Sequence, residues 1–548
     1  MKRVPDLALS LLALAVAGCA GAAPPRREAP AETPRPAAVA PLDPDEAADL
    51  ARELDEAGVL IGEQERDVLG LTPEATQTEA PVGRRPEPGV ALDMAARLRG
   101  GPATTPAATV RADGRAGLLA VSARARRDAL AGLQIASCLG VEVGTLALEA
   151  GSGAWEHGLG LLSAAKGQRR GLDAATALGW ARQGWRGELT DAGSRGMIGS
   201  LRRGPLQVSA GALRGARAEA GRPPARLAGL ALTTSRLELA ALAVDDRLGR
   251  GGSLWLRAGR GATLGACEAA VWRPVESGDA RGVWAATLRH AARRWRAEAM
   301  VAAAAAGAGC PLGRLPAVLP GWDGAGWGAR ASWNPAPAIF ARGLLARGWA
   351  RALGAEGPQV DAHQRWALEF SGPCARGWTV SLAARATRKQ RLGWQGRSPW
   401  LPPAPISREE RLQIHAQAVR DLSPWRLKAG LRLLAQRDET AQAGAAGAEV
   451  RSLAHASLER ALGGSWLARV VLAQAWGAPV DLQSVTTPAP GLVSLRHWGC
   501  WSAERAVGIG GRLGQCRLAT ALVLRRAAGV GAEESAEWSL AVSRDGRR

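Results

Sequence analysis

The most constraining feature of this chain is a period of two in its polarity. Between Arg411 and Val419, Leu412, Ile414, Ala416 and Ala418 occupy one set of alternate positions, and Arg411, Gln413, His415 and Gln417 occupy the other. The next run repeats it: Leu427, Ala429, Leu431, Leu433 and Ala435 alternate with Arg426, Lys428, Arg432 and Gln436. Between the two lies Asp421-Leu422-Ser423-Pro424, a turn-forming sequence. On a strand successive side chains point to opposite faces, whereas a helix needs a period of 3.6. Two such runs joined by a short turn predict an antiparallel hairpin. The same alternation places Trp295, Ala297, Ala299 and Val301 opposite Arg294, Arg296 and Glu298. It recurs around Trp366, Leu368 and Phe370, around Trp378, Val380 and Leu382, and around Trp538, Leu540 and Val542.

From residue 113 onward these segments follow one another with no helical layer between them, so the fold class expected is all-β. About 430 residues, at roughly 18–22 per strand and connection, correspond to about 20–24 strands, within the range of transmembrane barrels. The chain has 21 tryptophans, no tyrosine and two phenylalanines. Tryptophan must then supply any aromatic girdle, and Trp366, Trp378, Trp466, Trp476 and Trp538 are the candidates. Trp466 and Trp476 share one face of a segment, about 25 Å apart along the normal of a tilted strand, the height of an apolar band. The expectation is a large antiparallel transmembrane β-barrel with a short N-terminal helical segment. In pattern, though not through any diagnostic motif, the body resembles large porin-like outer-membrane proteins. That resemblance implies passage or binding of solutes and dependence on the barrel insertion machinery. The other architecture with this alternation is a lipid-anchored periplasmic or surface β-protein acting as a binding module.

The N-terminus is built differently. Lys2 and Arg3 precede an apolar run from Leu7 to Ala17, which closes on Val16-Ala17-Gly18-Cys19. A run of about eleven residues suits a signal peptide and is too short to span a bilayer as a helix. Small residues before a cysteine resemble the lipobox of bacterial lipoproteins, which implies acylation of Cys19. Cleavage after Ala20-Gly21-Ala22 is the alternative, and it removes that cysteine. Residues 20–42 are a Pro/Ala-rich tether. Residues 43–79 form a small acidic helical segment, with Asp43 as N-cap, Pro44 at N1 and Glu46 at N3. Within it LGLTPEA faintly resembles the hairpin of helix-hairpin-helix modules but lacks their G-x-G. Residues 80–112 are expected to be a linker, and 113–548 the barrel.

Charge divides along the same lines. Residues 20–99 carry sixteen acidic and nine basic side chains, a net of −7 within a chain of +20. The body is therefore strongly basic, which suits anionic lipid or anionic solutes, while export makes nucleic acid an unlikely partner. If the polar face lines a lumen, Arg365, Arg385, Arg411, Gln413, His415, Arg426, Lys428 and Arg432 are its pore-lining candidates. Seven cysteines show no C-x-x-C spacing, and six histidines are scattered without paired spacing. No H-E-x-x-H, G-x-S-x-G or phosphate-loop pattern occurs. Neither a metal, a cofactor nor an enzymatic activity is expected.

Overall fold

The computed structural model describes the strands between residues 90 and 544, together with parts of their connections. The tether and the acidic helical segment, with Cys19, lie outside the described residues. The first strands are β1 Val90–Gly101, β2 Thr104–Ala116, β3 Leu119–Asp128, β4 Gly132–Val143, β5 Leu146–Glu156, β6 Gly184–Gly187, β7 Arg195–Arg203, β8 Leu206–Arg214 and β9 Ala225–Thr233. Next come β10 Leu237–Asp246, β11 Gly249–Arg260, β12 Thr263–Pro274, β13 Arg281–Ala291, β14 Trp295–Ala304, β15 Gly324–Ala336, β16 Ile339–Gly354, β17 Gly357–Pro373 and β18 Trp378–Gly393. The last are β19 Ala404–Leu422, β20 Trp425–Thr440, β21 Gly444–Ala445, β22 Glu449–Gly463, β23 Trp466–Gly477, β24 Leu482–Ala489, β25 Leu492–Trp498, β26 Ser502–Leu513, β27 Cys516–Ala527 and β28 Glu534–Arg544. The described residues contain no α-helix.

Each long wall strand pairs antiparallel with the next one along the wall, and β1 pairs with β28, from Met94↔Arg544 to Gly100↔Trp538. The sheet therefore closes on itself. Four short strands stand apart from the wall: β6 and β21 are brief additions in connections, and β24 and β25 form a separate hairpin. The other 24 strands make the ring. An even, fully antiparallel ring has no free edge.

One boundary differs from the expectation. The linker over 80–112 is in large part wall: β1 and β2 fall within 90–116 and carry the closing seam. Leu92, Met94, Ala96 and Leu98 alternate with Asp93, Ala95, Arg97 and Arg99. Gly100, Gly101, Pro102 and Pro106 give the stretch a linker-like composition, but Gly100 and Gly101 close β1 and Pro106 stands near the start of β2.

The connections sort by length to the two ends of the barrel. At one end, end B, all eleven span two to four residues, from 117–118 to 514–515. Gly144, Gly204 and Gly261 take φ near +60° in these tight turns, a conformation open to glycine without a Cβ penalty. Ser423-Pro424 joins β19 to β20, where a turn is expected from sequence. At end A the connections include 157–194, 305–323 and 478–501. Because β1 starts at end B and β28 finishes there, both chain termini leave from the short-turn end.

Side chains alternate across the wall as the sequence pattern requires. On β10, Glu238, Ala240, Leu242 and Val244 are buried, whereas Leu237, Ala241 and Ala243 are exposed. Exposed leucine, valine and tryptophan recur on the outward positions around the ring, among them Leu230, Leu254, Leu288, Val470 and Leu522. Among the described residues these outward positions form an apolar belt, the kind of surface that contacts lipid in a barrel and has no counterpart in a water-soluble one.

Candidate functional site

The inner face is not an empty tube. Three end-A connections fold against the wall from within. Leu159, Leu161 and Leu162 are buried in one apolar core with Leu242, Val244, Trp255 and Trp272 of the wall. Glu268, 1 % exposed, anchors this segment: its Oε2 accepts the N–H of Leu159 at 2.5 Å and that of Leu161 at 3.3 Å. His157, beside it in sequence, is buried too, and burial holds its imidazole down at about 4, so it is neutral near pH 7. The second segment brings Val318 and Leu319 into the same core. The carbonyl of Val318 lies where side chains at Gly326 and Gly348 would stand, so backbone meets wall with no side chain between. The third is the β24–β25 hairpin. Its Pro488-Ala489 tip covers Gly508, and Arg451 donates to the carbonyl of Trp498 at 2.6 Å.

The wall from β16 to β22, whose Leu344, Leu434 and Leu453 join these apolar clusters, also carries a group of inward arginines. Register aligns its inward residues in three adjacent rows. One runs Arg342, Glu369, Ala383, His415, Arg432, Leu453. The next runs Leu344, Ala367, Arg385, Gln413, Leu434, Arg451. The third runs Ala346, Arg365, Thr387, Arg411, Gln436, Glu449. Six arginines meet two glutamates there, and Arg342 pairs with Glu369 at 2.5 Å. Inward ion pairs also occur elsewhere on the described wall. Glu298 holds Arg330 at 2.5 Å and Arg289 at 3.6 Å, and Arg525 spans Glu504 and Glu537 at 3.2 Å each.

All eight pore-lining candidates fall on this inward face. Arg385, Gln413, His415 and Arg432 are buried, and Arg365, Arg411, Arg426 and Lys428 are half-buried. Arg426 and Lys428 lie lower, toward end B, and Arg426 pairs with Asp421 at 3.1 Å. Arg342 and Arg451 complete the wall and escaped the sequence reading. Arg342 shares its inward face with Leu344 and Ala346, so its strand shows no clean polar face, and Arg451 stands near a strand start.

The five girdle candidates all point outward. Trp378 and Trp466 open β18 and β23 at end B, as Trp295 and Trp425 open β14 and β20. Trp476 lies at the other end of β23, and Trp366 and Trp538 in the end-A half of the outward surface, with Trp284 and Trp327. Trp284 shares a row with Ala303 and Ala325, and Trp327 stands two residues nearer end B. Trp327 shares a row with Arg347 and Gln364, and Trp366 is again two residues nearer end B. A step of two residues every second strand matches the stagger of roughly one residue per strand that tilted strands require, so the three rings stand level.

Three of the cysteines, Cys267, Cys374 and Cys516, are free thiols.

No protein-family model and no curated protein matches this chain. Among solved structures it is similar to OccK3 (OpdO) of Pseudomonas aeruginosa, at 12 % identity and a TM-score of 0.37, covering 60 % of this chain and 95 % of that one. It is similar to OccK2 (OpdF) of the same organism, solved in complex with glucuronate, at 14 % identity and a TM-score of 0.36, over 55 % of this chain and 92 % of that one. The P pilus usher (PapC) translocation pore matches at 8 % identity and a TM-score of 0.43, over 84 % and 99 %. At these values the likenesses assign no role to individual residues.

Proposed function

We propose that this protein is an outer-membrane channel that takes anionic solutes along the arginine-bearing wall of β16–β22. The carrying observation is the closed 24-strand ring with an apolar outer belt and a charged inner face. Rings of 16 strands or more enclose a lumen too wide for wall side chains alone to fill, and the inserted segments then determine its bore. Short turns and both termini at end B support a periplasmic end B and an extracellular end A. The N-terminal acidic segment then stands on the periplasmic side, whether or not Cys19 carries lipid.

In these three rows five arginines, leaving aside Arg451 that holds Trp498, stand with two glutamates, which supports anion preference, because an excess of one sign lowers the barrier for the opposite charge. Planar-bilayer conductance tests this. In a tenfold KCl gradient the reversal potential should take the sign of chloride permeation, and cation preference or the absence of a pore would overturn the reading. The acylation of Cys19 is decided separately by mass spectrometry of the mature N-terminus.

A further inference from the structure

Outside the barrel, the end-A rim of β7–β12 carries a second basic surface that a solute channel does not require. Arg226, Asp245, Arg250 and Arg273 share one outward row: Asp245 pairs in register with Arg226 and Arg250, and Arg250 with Arg273. On the adjoining strands β7 and β8, Arg195 stands directly opposite Arg214, again outward. The row borders a recess of about 660 Å³, lined by Arg226, Arg247, Arg250 and Arg273 against Asp245 and Asp246. Asp245 binds Arg250 at 2.9 Å, and both remain largely exposed.

The height of this surface is what gives it meaning. Trp284 pairs with Ala269, and Arg273 lies four residues farther toward end A on the same strand. Four residues on a tilted strand are about 10 Å along the normal. The arginines therefore stand between the level of the tryptophan girdle and roughly 10 Å above it, where lipid phosphates lie. Directly beneath are Ala228, Ala243, Gly252 and Val271, then Leu230 and Leu254 of the belt. At end B the same four strands finish outward in Leu232, Leu237, Arg260 and Thr263, a single arginine. Arginine on a lipid-facing wall is costly at mid-bilayer and nearly free at the interface, so a cluster there fits a ligand that brings negative charge to that depth.

We propose that the outward face of end A between β7 and β12 binds the phosphates of an anionic lipid, with the acyl chains lying on the belt below. The proposal rests on the membrane-spanning reading above. Its test uses the full-length protein in non-ionic detergent, titrated with lipid A bearing two phosphates, with the dephosphorylated lipid, and with inorganic phosphate. Native mass spectrometry counts retained lipid.

Wild type should retain lipid A at a roughly tenfold lower concentration than the dephosphorylated lipid, and 1 mM inorganic phosphate should not displace it. R226Q/R250Q/R273Q should lose that preference, while Arg260→Gln keeps it. Unboiled-gel mobility shows that both variants are folded barrels. Equal retention of the two lipids, or an undiminished preference in the triple variant, overturns the proposal. Displacement by inorganic phosphate overturns the lipid as the source of the ligand. Carbonate extraction of membranes separates the two levels of argument: release of wild type removes the membrane reading itself, whereas a retained protein without lipid preference removes only this inference.

Discussion

Glu268 Oε2 lies 2.5 Å from the backbone nitrogen of Leu159 and accepts its hydrogen, so a wall strand holds an inserted segment 109 residues away in sequence. The wall supplies a carboxyl oxygen as acceptor and the insert supplies two backbone donors. Neither satisfies a buried polar group without the other.

Glu268→Ala removes two hydrogen bonds and leaves two buried N–H groups without an acceptor, at about 1–3 kcal/mol for each orphaned group. The 157–162 segment should undock, and single-channel conductance should rise and become noisier, with the ring still intact on unboiled gels. Wild-type conductance in this variant would show that the segment does not set the bore.

His157 couples the same segment to pH. Its docked pKa of about 4 lies below the free value of 6.5, so the undocked segment binds more protons between those limits. Docking is then fully favourable above pH 6.5 and is lost progressively as pH falls toward 4, by up to about 3 kcal/mol. Conductance noise should grow over that window in wild type. In His157→Gln, which cannot titrate, noise attributable to this segment should be flat with pH.

Gly348 meets the carbonyl of Val318, and a methyl group there has nowhere to go. Gly348→Ala should push the 318–321 segment off the wall at a cost of about 1–3 kcal/mol. A lowered melting temperature with faster proteolysis after this change, and no comparable effect at outward Gly343, is the expected pattern. Equal effects at both sites would point to general weakening of β16.

Arg385 and Arg432 lie in adjacent inward rows and are nearly fully buried. Replacing both by glutamine should move the reversal potential toward zero while leaving the outer surface unchanged. A null result would locate selectivity elsewhere, for instance at the end-A mouth.

Much of the wall was legible because its period needs only local information. Arg411 to Gln436 could be read residue by residue, since Leu412, Ile414 and Ala416 sit beside charged neighbours. The first two strands were harder, because their alternation is carried largely by alanine and broken by Pro106. The inserts were not legible at all. Leu159, Leu161 and Leu162 occupy a short apolar stretch whose burial depends on Glu268 and Trp255, and the pairing of such distant positions leaves no periodic trace. Arg195, Arg226, Arg250 and Arg273 look like scattered surface charges until the register sets them on one rim.

The seam between β1 and β28 has a consequence for assembly. It joins Met94 to Arg544, so the last wall contact awaits the final strand of a chain of 548 residues. Until that strand arrives, every intermediate is an open sheet with two unsatisfied borders, each able to pair with a stranger. Deleting β28 should cost the cell a precipitating sheet and not merely a leaky pore.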